Sequence, residues 1–140
     1  MASLLHDSGK LILATRLPNE FAGALRRSES TGRPLHVVEA EQLGTSHAEV
    51  GAYLLGLWGL PGPIVEAVQM HHQPQFVDNG GQGLDAVSVT HIANGLAREV
   101  SGFSGTWLDR EYIARLGAEE QLPGWRAMAK QVEQELMAVG

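Results

Sequence analysis

The chain has 140 residues, 44% of them apolar and 19% charged, enough to enclose one core and too few for two comfortable domains. Its formal charge of −6 argues against a nucleic-acid binder, which needs a Lys/Arg surface to displace counterions from phosphates. With no cysteine, disulfides and thiolate metal sites are excluded, so any metal would be held by His, Asp, Glu or water.

Apolar residues recur at helical spacing nearly throughout, punctuated by Gly and Pro, and the expected fold is all-α: a compact multi-helix bundle. Residues 4–13 read LLHDSGKLIL, an apolar run that holds an adjacent His6 and Asp7. Burying such a pair is costly unless something uses it. Pro18 suits the first turn of a helix carrying Phe21, Ala22 and Leu25, which STGRP ends. A short segment follows with Leu35, Val38 and Leu43 before Gly44. Ser46 and Glu49 have the spacing of a capping box, so a helix should start at His47 and end near Gly59 and Pro61. GPIVEAVQMHH turns Ile64, Val65 and Val68 inward and closes at Gln73 and Pro74, and FVDNGGQG then reads as a surface loop. In LDAVSVTHIANGLAREVSG the residues Leu84, Val87, His91, Asn94 and Gly95 share a face expected to point inward. Asp109 caps DREYIARLG, which Gly117 stops, and a last amphipathic helix carries Trp125, Met128, Ala129, Val132 and Leu136. No run approaches the roughly 18 apolar residues of a membrane span, and no cleavable leader is evident, so the expected compartment is the cytoplasm.

The polar residues set within these helices carry the chemistry. Read singly, His47 is a helix-start residue, the pair His71 and His72 meets a helix C-terminus, and His91 is a hydrogen-bonded wall residue. Together they allow a second reading, since helices that converge with His and Asp facing inward are how a bundle builds a metal site. The alternative is that the same groups hydrogen-bond one another in a polar seam.

In order along the chain, the motifs H-D-x-G-K, H-A-E-V-G-A, W-G-L-P, H-H-x-P and VTHIANGLA resemble the second half of an HDOD domain, the signalling offshoot of the HD superfamily of helical metal-dependent phosphohydrolases. The resemblance runs from residue 4 to about residue 100. It implies metal ligands at His6, Asp7, His47, His71 and His72, with Lys10 as the lysine of H-D-x-G-K. The related HD-GYP enzymes hydrolyse cyclic di-GMP, and three departures from them count against activity. Neutral Asn94 stands where IADxLA would supply the last metal carboxylate. Gln73 replaces a Glu, and the Gly-Tyr-Pro signature is missing from the loop. The helices of the family's first half, with a further histidine, are expected to have no counterpart here, leaving an apolar surface at Leu4 and Leu5.

The leading expectation is a single helical domain, with residues 1–104 HDOD-like and 105–140 a helical extension packed on it. It would act as a non-catalytic signalling output or adaptor module with a degenerate metal site. No cofactor is expected, or else a divalent Mn, Fe, Mg or Zn ion. Its partners would be signalling proteins or domains, not nucleic acid or membrane, with a homodimer left open. The alternative is a metal-dependent phosphohydrolase acting on a phosphodiester or nucleotide, in which Asp7 and Lys10 serve the chemistry. A third reading is a structural piece that completes its fold with the family's first half. If Asn94 does occupy the ligand position, its amide should hydrogen-bond His6, Asp7 or the histidine pair.

Overall fold

The computed structural model describes residues 1–80, 83–103 and 107–140. Its α-helices are α1 (Ala2–Leu5), α2 (Ser8–Arg16), α3 (Pro18–Thr31), α4 (Leu35–Leu43), α5 (His47–Leu57), α6 (Gly62–Met70), α7 (Ala86–Val100), α8 (Arg110–Arg115) and α9 (Leu122–Val139), with single 3-10 turns at Pro74–Phe76 and Glu119–Gln121. Among the described residues there is no strand, and no helix is long and apolar enough to cross a membrane. The fold is all-α, as the helical periodicity implies. The centre of the glycine-rich loop and the boundary expected at residue 104 lie outside the described residues.

Local chemistry sets the ends of several helices. Pro18 opens α3, where its missing N–H is no loss, and Gly32 closes it at a φ of 68°. At α5 the Ser46 hydroxyl accepts from the Glu49 backbone N–H while the Glu49 carboxylate accepts from the Ser46 N–H, so the anticipated capping box forms. Asp85 and Ser88 build a second box on α7, and Asp109 caps α8.

Among the described residues, three small clusters share the burial. Ala52, Leu55 and Val68 join α5 to α6, with Leu5 packed against them; Ala2, Ala67 and Val87 join α1, α6 and α7. Ile92, Leu96, Leu108, Ile113 and Ala118 bind α7 to the C-terminal segments. The apolar surface expected near the start is present at Leu4, which is exposed, and not at Leu5. In α9 only part of the expected stripe is covered: Trp125 and Ala129 pack on the third cluster, while Met128, Val132 and Leu136 remain exposed.

One close helix approach determines where the polar residues meet. α2 packs on α5 with glycine against glycine: a Cβ on Gly9 would lie 1.8 Å from the His47 carbonyl oxygen, and one on Gly51 3.0 Å from the Gly9 nitrogen. Only bare backbone fits there. That contact brings the start of α2, with Asp7 beside it, against the start of α5.

Candidate metal centre

His6 and Asp7 form the joint between α1 and α2, where the chain leaves one helix and enters the next. His47 is the first residue of α5, and His71 and His72 follow the last turn of α6. The fold thus brings together all five histidine and aspartate positions that the sequence singles out. One ligand atom each from His6, Asp7 and His71 lie within 4.8 Å of one another, and so do those from His47, His71 and His72. His71 is common to both groups and fully buried.

Three of the rings, those of His6, His47 and His71, are held by their Nδ1. His6 Nδ1 lies 2.7 Å from the Ser3 carbonyl, His71 Nδ1 2.7 Å from the Val68 carbonyl, and His47 Nδ1 2.6 Å from a carboxylate oxygen of Glu39. A carbonyl or carboxylate oxygen can only accept, so each Nδ1 carries the proton and each Nε2 presents a lone pair. His72 Nε2 is 2.9 Å from His47 Nε2 and donates to it.

What remains is an unfilled set of acceptors. His6 Nε2, Asp7 Oδ1 and His71 Nε2 are buried and have no hydrogen-bond partner. The hydrogen bonds behind the two rings fix the orientation in which His6, Asp7 and His71 offer ligand atoms within 4.8 Å of one another. A divalent ion with bonds of about 2.1 Å would hold its ligand atoms roughly 3.4 Å apart, inside the 4.8 Å that bounds their separation here. The donor set fits an ion of the borderline class.

The electrostatics agree. Burial works to raise the Asp7 pKa, but the Lys10 ammonium 2.7 Å from Oδ2 and the neighbouring histidines outweigh it and hold the carboxyl below its ordinary value. Burial pushes His71 down to about 3, against a smaller opposing effect of the Val68 carbonyl. His72 is also pushed well down, by burial first and then by the adjoining rings. Neutral imidazoles are the form that binds metal.

Two residues escape a reading of the sequence. Glu39 is completely buried in α4, and one of its oxygens accepts from both the ring and the backbone N–H of His47. His36, one turn earlier, stacks on His72 with centroids 4.2 Å apart and planes 6° from parallel, and burial lowers its pKa to about 4. A signal for Glu39 exists: it stands four residues after Leu35 and four before Leu43, an acid on an apolar stripe.

Asn94 corrects an expectation. It is half-buried and, among the described residues, makes no hydrogen bond to His6, Asp7, His71 or His72. The residue by which α7 reaches the histidine pair is His91, whose Nδ1 donates to the His71 carbonyl at 2.8 Å and whose Nε2 accepts from the Asp109 N–H at 3.0 Å. Both His91 nitrogens are used, as a wall residue requires. The inward arc of α7 passes through Val87, Ser88, His91 and Gly95, and Asn94 stands at its edge.

The HDOD domain family matches residues 1–74. The match ends before α7, so the stretch around Asn94, which the motif resemblance had included, lies outside it. A protein of Treponema pallidum (strain Nichols), named only as uncharacterized, is 28% identical over 72 residues, covering 51% of this chain and 14% of that protein. The chain therefore spans a small part of the length of the relative it matches. No solved structure matches at a significant level.

Proposed function

The chain belongs to the HDOD family, and from that premise we propose that it is a metal-binding signalling module whose partner is another protein or domain. The observation that carries the metal is the unpartnered, buried trio of His6 Nε2, Asp7 Oδ1 and His71 Nε2 beside a second trio that shares His71. His6, Asp7 and His71 would hold the ion, and His47 and His72 would hold another or complete its surroundings. A bound divalent ion would supply charge and Lewis acidity there. Lys10 keeps the Asp7 carboxylate ionised and leaves one oxygen free to ligate.

The regulatory reading over the hydrolytic one rests on charge. Asp7 is the one carboxylate in the two ligand groups, and the Lys10 ammonium already offsets it. A pair of ions held for in-line attack on a phosphodiester needs bridging anionic ligands. One observation favours the hydrolytic alternative: Asp7 and Lys10 are the more open part of the centre, 37% and 23% exposed, so a phosphate could approach there.

Metal content of the purified chain, followed by calorimetric titration with Mn, Fe(II) and Zn, tests the first claim. The expected result is uptake in the wild type and none in His71→Ala. Equal binding by both chains, or no binding by either, removes the metal centre. Hydrolysis of a generic phosphodiester by the loaded protein, lost in Lys10→Ala, would replace the regulatory reading with the enzymatic one.

A further inference from the structure

The two ligand groups of the histidine centre share His71, and that ring can serve only one of them. Its Nδ1 donates to the Val68 carbonyl at 2.7 Å, so the ring proton sits there and Nε2 holds the single free lone pair. A lone pair on an imidazole nitrogen binds one ion. An ion at His6, Asp7 and His71 therefore leaves the other group with His47 and His72 alone, and an ion at His47, His71 and His72 leaves only His6 and Asp7.

Hydrogen bonds decide between the two. In the first group His6 Nε2, Asp7 Oδ1 and His71 Nε2 are all buried without a partner. In the second, His47 Nε2 and His72 Nε2 lie 2.9 Å apart and are bonded to each other. The His47 ring donates from Nδ1 to the Glu39 carboxylate, so the proton in the contact between the rings belongs to His72 Nε2. His72 Nε2 thus has no lone pair to offer an ion, and that of His47 is in use. Filling this group would break the bond and move the His72 proton to the other side of its ring. A second ion would also need an anion to bridge it to the first across about 4 Å. Asp7 is the carboxylate at hand, and the Lys10 ammonium holds its Oδ2 at 2.7 Å, which leaves Oδ1. Glu39 stands behind His47 and belongs to neither group.

Given the metal centre proposed above, on which this rests, we infer that the chain takes one divalent ion, at His6, Asp7 and His71, and that His72 is not a ligand. His72 spends its N–H on His47, which stays beside the ion's carboxylate with Nε2 3.5 Å from Asp7 Oδ1. Five ligand-type side chains make one site, and a pair of ions is not assembled.

Native mass spectrometry and calorimetric titration with Zn count the ions, with circular dichroism to verify the fold of each variant. The wild type should take one ion per chain. His72→Phe, which keeps a ring to stack on His36, should still take one, whereas His6→Phe should take none. Asp7→Asn removes the anion without changing the shape and should also take none, so the outcome does not depend on how a larger ring packs at position 6. In the Zn-loaded wild type the ¹⁵N shifts of Nε2 should move in His6 and His71, while His72 Nε2 keeps its proton. Two ions per chain overturn the assignment and leave the metal centre standing. So do a folded His72→Phe chain that takes none, undiminished uptake by His6→Phe or Asp7→Asn, or a metal-bound shift at the His72 ring. A wild type that takes no ion removes the centre and the assignment together.

Discussion

A histidine's role in this protein is set by what its two nitrogens find. His91 has both satisfied, whereas His6 and His71 have one satisfied and one bare. Glu39 does for His47 what backbone carbonyls do for the other two rings, with a full negative charge added. Glu39→Gln keeps the shape and removes the charge; metal affinity should fall about 10- to 100-fold with the fold retained. Calorimetry measures the loss, and the ¹⁵N shifts of the His47 ring report whether its proton has left Nδ1. An unchanged affinity would mean that Glu39 serves packing alone. The buried rings also predict a pH dependence in the metal-free protein. His71 is held near 3 and His36 near 4, both below the value of about 6.5 in an unfolded chain. Between pH 6.5 and those values the unfolded state binds protons that the folded state refuses. Stability is therefore full above about pH 6.5 and declines as pH falls towards 3, by up to about 1.4 kcal/mol per pH unit for each ring. Denaturant midpoints from pH 7 downwards check this, and a flat profile to pH 4 would show that the rings are not shielded.

Between elements, the decisive contact is backbone on backbone. Gly9 lets α2 lie directly on α5, and a methyl there collides with the His47 carbonyl, which cannot swing aside as a side chain would. Gly9→Ala should cost about 3 kcal/mol and, by pushing Asp7 away from His47, weaken metal uptake as well. Gly56 is the contrasting case, inside the same α5 with open space around its missing Cβ. Gly56→Ala should gain up to about 1 kcal/mol from helix propensity alone. Thermal or chemical unfolding of the pair measures both; a Gly9→Ala chain as stable as the wild type would mean that the two helices can separate at no cost.

Across the whole molecule, the part matched by the family depends on residues beyond it. The match stops at residue 74, yet the carbonyl of His71 is bound by His91 of α7, which is in turn bound by the N–H of Asp109 at the start of α8. A Cβ on Gly95 would meet Leu108 at 2.4 Å, so α7 and the segment leading to α8 are closely fitted. The chain should accordingly unfold as one unit, with near- and far-ultraviolet dichroism changing together. His91→Ala leaves one acceptor and one donor unpaired beside a small cavity and should cost about 2 to 4 kcal/mol. Two separate transitions, with the second insensitive to His91→Ala, would show that the C-terminal helices are only loosely attached.

The sequence alone is enough for the local features. The helical periodicity, the capping box at Ser46 and Glu49, the proline start of α3 and the cap at Asp109 each depend on residues a few positions apart, and each is where the pattern puts it. It also marked the ligand-type side chains His6, Asp7, His47, His71 and His72 by their motifs. Tertiary structure alone decided which of them meet and what supports them. Glu39 and His36 join the site because α4 lies against the start of α5 and the residues that follow α6, and α7 meets the His71 backbone through His91. A few tens of degrees of helix rotation move a side chain from a site to its edge, and that rotation is settled by packing summed over distant segments, such as glycine on glycine at α2 and α5. No window of adjacent residues contains that sum.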